Sequence, residues 1–255
     1  MKLTLLAALC ATALAMCSCK TIDRAGDAVL NTFRGNPKTA EEIADTSLPA
    51  ASVNHNTAVM TLNVLGAKRR VVIQLDPQLA PKTVANFKKL VNAGYYNGLA
   101  FHRALHGFLV QTGDPATRSD GDRSAWGLTD IGYKLGPEVS GKHVKGALSM
   151  SRTNTAIDSG DRQCSGSQFF VMLRSDTKLD GNYNVFGKVT QGLEVLEAIA
   201  GMTVDTNDCP AKRMEITSLR LVPVDSPELL TGGTQGRIKP EGEKGKGGRF
   251  FGRLW

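Results

Sequence analysis

A chain of 255 residues, 41% hydrophobic and 22% charged, is long enough to bury a sizeable core and too apolar to be wholly disordered. Its formal charge of +7 leans on the C-terminal end, where Gly232–Trp255 carries six Lys or Arg against two Glu. That excludes a basic stripe spread over a folded nucleic-acid-binding surface. The 27 glycines and 10 prolines follow no period, so they predict many turns and short strands. The five cysteines include no CxxC pair, which excludes zinc-ribbon and thioredoxin-like chemistry.

At the N-terminus, Met1-Lys2 precedes an apolar run, Leu3–Met16. The run is too short to span a bilayer comfortably and suits a secretory signal, expected over residues 1–18. It ends in Met16-Cys17-Ser18-Cys19-Lys20, which resembles the cleavage box of bacterial lipoproteins. Small Ser18 favours Cys19 as the first mature, acylated residue; Met16 stands where leucine is usual, and Cys17, the rival, follows that bulky side chain directly. Acyl chains contribute ~0.8 kcal/mol per buried CH₂, so several of them anchor stably. The expectation is an exported lipoprotein on the periplasmic or cell-surface side of a membrane, with plain secretion as the alternative. Residues 19–55 are polar, are broken at Gly35-Asn36-Pro37 and Leu48-Pro49, and read as a flexible tether.

A domain is expected over residues 56–224. Alternation over Thr57–Leu65, a turn at Gly66–Arg69 and the β-rich Val71–Leu75 predict a hairpin. Pro81 opens a helix with Val84, Phe87, Leu90 and Val91 on one face and Gly94 at its end. Short strands are predicted at Leu99–Arg103, Leu109–Thr112, Ala147–Ser151, Phe169–Leu173 and Val185–Val189. A helix follows at Leu193–Ala200, and a last strand at Ile216–Val222. Many short strands with two isolated helices point to an antiparallel barrel or sandwich with helices over its ends. Cys164 and Cys209 would form a disulfide in an exported domain or remain two thiols. Residues 225–255 read as a basic, Gly-rich flexible tail with an apolar tip, Phe250-Phe251 and Leu254-Trp255.

Four motifs stand in fixed order: Phe101-His102-Arg103 running on to Gly107-Phe108 and Gln111-Thr112-Gly113-Asp114; Gly146–Met150; Gly166-Ser167-Gln168-Phe169-Phe170; and Leu179-Asp180-Gly181, continuing to Val185–Val189. Together they resemble the cyclophilin-type peptidyl-prolyl isomerases over roughly Thr57 to Val222. The resemblance implies a mainly β fold, a closed eight-stranded antiparallel barrel capped by two α-helices, with an active face on its exterior. It implies a catalytic Arg103 held by Gln111, and a substrate surface of Phe108, Leu109, Ser151, Arg152, Gln168, Phe170, Leu179 and Tyr183. Phe169, alternating with Phe170, belongs to the core. Partners would be proline-containing unfolded or flexible polypeptides bound by a monomer, with no cofactor, no metal and no nucleic acid. His102 and His106, on strand and turn, would not share a helix face as a metal pair.

The chemistry implied is rotation about an X-Pro bond, whose barrier is ~18–20 kcal/mol and whose uncatalysed exchange takes ~10–100 s. No covalent bond changes, so a fixed donor near the prolyl nitrogen and an apolar grip on the ring are what the reaction needs. Three departures from the family pattern stand out. Lys178 replaces a rim aromatic, which implies weak cyclosporin binding. Arg152 replaces an asparagine that offers backbone contacts. The loop Asn154–Cys164, with Asp158 and Asp161, is longer than usual and is expected to reshape one wall of the groove.

Overall fold

The computed structural model describes residues 55–152 and 162–230. The expected signal, Cys19, the tether, most of the loop Asn154–Cys164 and the tail beyond Leu230 lie outside them. Ten strands are present among the described residues: β1 (Thr57–Val64), β2 (Ala67–Leu75), β3 (Arg103–Leu105), β4 (Leu109–Thr112), β5 (Lys134–Leu135), β6 (Ala147–Met150), β7 (Cys164–Ser165), β8 (Phe169–Met172), β9 (Val185–Gln191) and β10 (Glu215–Val222). The helices are α1 (Pro81–Asn92), α2 (Leu193–Ala200) and the short α3 (Pro227–Leu230), so the described fold continues past Val224.

Eight strands form one antiparallel sheet in the order β10-β1-β2-β9-β6-β8-β4-β3, and β5 pairs separately with β7. The β1–β2 connection is tighter than the expected four-residue turn. Leu65 and Gly66, at φ 53 and 82, are its two central residues, and Asn63 Oδ1 accepts from Gly66 N at 2.9 Å. Positive φ at both central positions matches the twist of the flanking strands.

The expected closed barrel is corrected. The strand order is linear and the sheet is an open, curled half-barrel whose edge strands, β3 and β10, share no ladder. The segment before β3 spans the gap instead. Gly98 N donates to Ile216 O at 2.7 Å, Phe101 N donates to Met214 O at 3.0 Å, and Ala100 and Glu215 form an isolated bridge. The strand expected at Leu99–Arg103 is therefore displaced, with its regular part at Arg103–Leu105.

The inner face is filled by Met60, Leu62, Ile73, Val110, Leu148, Phe169, Val171 and Phe186, against Val84, Phe87, Leu90 and Val91 of α1 and Leu196 and Ile199 of α2. Phe87 centres an aromatic cluster, 5.2, 5.6 and 5.1 Å from the rings of Tyr96, Phe169 and Phe186. Strand alternation puts the next residue of each pair outside. Leu109, Ala147, Phe170, Met172 and Val185 form a second apolar cluster on the outer face. Cys164 and Cys209 are both buried as free thiols, which decides between the two alternatives for them.

The N-terminus of α1 carries Pro81 at its start and has no capping side chain of its own. Glu138 supplies the cap from far along the chain: its carboxylate accepts from Lys82 N at 2.9 Å, Thr83 N at 2.8 Å and Thr83 Oγ1 at 2.7 Å. Asn184 holds that loop, accepting from Glu138 N at 2.7 Å and donating to Gly136 O at 2.9 Å. Charge-assisted capping at a positive helix end predicts that Glu138→Ala costs ~1–2 kcal/mol in denaturant unfolding. Glu138→Gln, which keeps one acceptor, should lose less. Equal midpoints for wild type and Glu138→Ala would exclude the cap.

Candidate active site

Pairing register builds the site. Arg103 of β3 lies opposite Gln111 of β4, Gln111 opposite Phe170 of β8, and Phe170 opposite Ser149 of β6. Paired residues of an antiparallel sheet share a face, so four residues far apart in sequence form one row across four strands. Its first three residues, Arg103, Gln111 and Phe170, border a cleft of ≈ 820 Å³ that runs from the outer apolar cluster to the loop Asp205–Cys209.

At one end, Phe108, Leu179 and Tyr183 stand half-buried around Leu109 and Phe170. Tyr183 meets Phe170 edge-on at 5.6 Å and 86°. Leu179 ends a 3-10 turn, Thr177–Leu179, capped by Asp176, whose carboxylate accepts from Lys178 N at 3.0 Å. The result is an apolar recess with aromatic walls, open to solvent.

The polar floor is a glutamine ladder. Gln111 Nε2 donates to Ser151 Oγ at 3.0 Å and to Gln168 Oε1 at 2.8 Å, and Gln168 Nε2 donates to Thr129 O at 2.6 Å. Gly113 lets the strands converge here. At φ +98, a Cβ on it would lie 2.3 Å from Ser167 O, so only glycine fits. The backbone of Ser151 is engaged in both directions, N to Gln168 O at 2.8 Å and O from Ser165 N at 2.7 Å. Its side chain accepts the Gln111 bond on the cleft side.

Arg103 is half-exposed, and its ion-pair partner is Asp208, Nε to Oδ2 at 3.7 Å. The expectation that Gln111 holds Arg103 is thereby changed. Gln111 pairs with it through the strand, while its amide serves Ser151 and Gln168. Asp208 itself is a non-glycine residue at φ 61. Its carbonyl accepts from Ala104 N at 2.8 Å, which seats it beside β3. An exposed pair of this length contributes under ~1 kcal/mol, so it orients the guanidinium without locking it.

His143, Asp180, Ser149 and Asp208 were not singled out from sequence. His143 lies behind the recess with a fully buried side chain. Its ring stacks on Phe170 at 6.1 Å and 16°, and meets Tyr183 edge-on at 6.0 Å. Nδ1 is 3.0 Å from Asp180 Oδ1 and Nε2 is 3.2 Å from Ser149 Oγ. Since a carboxylate only accepts, the neutral ring carries its proton on Nδ1 and takes the Ser149 hydroxyl at Nε2. Burial lowers the His143 pKa, opposed by Asp180, and Asp180 is lowered by the bonds from the His143 backbone and ring. The Asp180 and Ser149 positions fall within sequence motifs; a lone histidine in a loop gives no periodic signal. His102, beneath Arg103, is buried, and its pKa is pushed down to about 3, mainly by burial and further by Arg103. Among the described residues no three His, Cys, Asp or Glu side chains gather in a metal-holding group.

An exterior apolar recess beside a half-exposed arginine thus sits on an antiparallel half-barrel capped by helices. The family model for cyclophilin type peptidyl-prolyl cis-trans isomerase/CLD matches residues 59–221, and the chain belongs to that family. Peptidyl-prolyl cis-trans isomerase B of Bacillus subtilis is 41% identical over 128 residues, 49% of this chain and 79% of that protein. Peptidyl-prolyl cis-trans isomerase CYP65 of Arabidopsis thaliana is 37% identical over 145 residues, 56% of this chain, and the match spans only 23% of that longer protein. The crystal structure of a Cryptosporidium parvum cyclophilin type peptidyl-prolyl cis-trans isomerase, in the presence of the dipeptide Ala-Pro, superposes with a TM-score of 0.55 at 25% identity. It covers 66% of this chain and 99% of that one.

Proposed function

We propose that this chain isomerises X-Pro bonds in unfolded or flexible polypeptides, acting as a monomer without a cofactor. The observation that carries the reading is the register row of Arg103, Gln111 and Phe170, with the recess of Phe108, Leu109, Leu179 and Tyr183 at its end. The proline ring would enter the recess, which fixes one side of the rotating bond. The Arg103 guanidinium, charged at any working pH, would donate to the prolyl nitrogen as it becomes pyramidal and loses amide resonance. Gln111, Gln168 and the Ser151-Arg152 segment would line the path of the substrate backbone. The Ala-Pro dipeptide present with a related structure fits this reading.

The deciding experiment is a protease-free isomerisation assay, following an Ala-Pro peptide by exchange NMR. Catalysed exchange at micromolar protein supports the proposal. Saturable binding without accelerated exchange would replace it with a proline-binding module.

The proposal extends to location. The apolar run ending in Met16-Cys17-Ser18-Cys19 supports export and acylation of Cys19, with clients among exported proteins and the domain held to a membrane. No described helix is long and apolar enough to cross a membrane, so attachment would rest on the lipid. Mass spectrometry of the mature N-terminus should find a chain beginning at acylated Cys19. An unacylated mature terminus would remove the anchor.

A further inference from the structure

We infer that Asp208 is a positioning residue for Arg103, holding the guanidinium by its inner edge so that its tip stays open to substrate; the inference rests on the isomerase reading above. The ion pair joins Asp208 Oδ2 to Arg103 Nε at 3.7 Å, and both residues line the cleft. Nε is the edge next to the aliphatic stem. A carboxylate seated there leaves the donors on Nη1 and Nη2 to a bound chain.

Asp208 does not depend on that pair for its place. Its loop is closed from within. Asp205 Oδ1 accepts from Asn207 N at 2.8 Å and from Cys209 N at 3.0 Å. Asp205 N donates to Cys209 O at 2.9 Å, and Asp208 N donates to Asp205 O at 3.2 Å. The loop is also held from outside. Arg123 Nη1 donates to Pro210 O at 2.9 Å, and buried Cys209 packs with Trp126 and Ala100. The Asp208 carbonyl takes Ala104 N, the amide that follows Arg103. The backbone therefore carries the carboxylate to Arg103, and the pair is a result of that placement.

At φ 61, Asp208 adopts a left-handed conformation that glycine would meet without steric cost. Strain kept at a non-glycine residue beside a site points to function. What aspartate brings here and glycine lacks is the carboxylate. A half-exposed arginine left alone spreads over many rotamers, and the fraction of molecules with the donor in place falls.

The test compares wild type with Asp208→Gly and Asp208→Asn. Glycine relieves the φ and removes the carboxylate; asparagine tolerates the φ and keeps an acceptor without the charge. Asp208→Gly should unfold at an unchanged or higher urea midpoint. Its kcat for an X-Pro peptide should nevertheless fall about three- to fivefold with KM unchanged, as loss of one exposed pair allows. Asp208→Asn should lie between it and wild type. In an Arg103→Ala background the glycine substitution should change nothing further. Side-chain NMR gives a readout independent of turnover: the Arg103 Nε–H should be ordered in wild type and more mobile in Asp208→Gly. An unchanged or raised kcat in Asp208→Gly would overturn the inference, as would an Arg103 Nε–H equally mobile in both proteins. So would a lowered midpoint in Asp208→Gly, which would make the carboxylate a prop of the fold. Failure of the isomerase reading looks different: wild type shows no catalysed exchange, and the NMR comparison still decides whether Asp208 orders Arg103.

Discussion

Replacing Arg103 with alanine is expected to lower catalysed exchange of an X-Pro peptide by ~10²–10³-fold while leaving peptide affinity within a few-fold. The asymmetry follows from the division of labour in the cleft. The proline ring would be held by Phe108, Leu109, Phe170 and Leu179, all intact in the variant. What would be lost is a donor whose bond, on the proposed mechanism, strengthens only as the amide twists, so the effect belongs in kcat. The fold should survive, because Arg103 is half-exposed and its one recorded ion pair is long. Arg103→Lys should recover little, since an ammonium offers no planar fork. A folded Arg103→Ala protein with undiminished exchange would remove the assigned role. If kcat falls but KM rises just as steeply, the arginine binds ground state and transition state alike.

The second large effect concerns acid. His102 is buried beneath the row that begins at Arg103, and its pKa is pushed down to about 3. In the unfolded chain it titrates near ~6.5. Between those values the unfolded state takes up a proton that the folded state refuses, so stability falls as pH drops through that window and is fully present above it. From pH 7 to 5 the loss assignable to His102 is about 2 kcal/mol. His143, also lowered by burial, adds in the same direction. Urea midpoints of wild type and His102→Gln at pH 7, 6 and 5 check this through their slopes, whatever the variant's absolute stability. The wild type should fall more steeply; parallel lines would show that His102 is not the group refusing the proton.

Much of the recess was legible because strand alternation is a local rule. Phe169 against Phe170 divides core from surface within two residues, and the same rule aligns Arg103, Gln111 and Phe170 once their strands pair. The hairpin and both longer helices were legible from period alone, with Val84, Phe87, Leu90 and Val91 buried as their spacing requires. What escaped depends on distant pairing. Asp208 reaches Arg103 only because its loop folds back onto β3. His143 serves the recess through stacking and hydrogen bonds across three elements. Glu138 caps a helix to which it is not adjacent in sequence. The curled sheet, open where a closed barrel was expected, depends on whether β3 and β10 meet as a ladder, and no single strand records that. The two-residue strands β5 and β7 are too short for any periodic signal.

The pairing of Thr57 with Val222 in the β1–β10 ladder has a mechanical consequence. The polypeptide enters and leaves the sheet at one place, so a pull on either end loads the same ladder. If the N-terminal side is fastened to a surface, the domain hangs from a single pivot. Its cleft, borne by strands at the opposite side of the sheet order, is then free to sweep a wide solid angle. If the chain isomerises X-Pro bonds as proposed, such a mount would give it reach toward passing chains of every orientation without any moving part of its own.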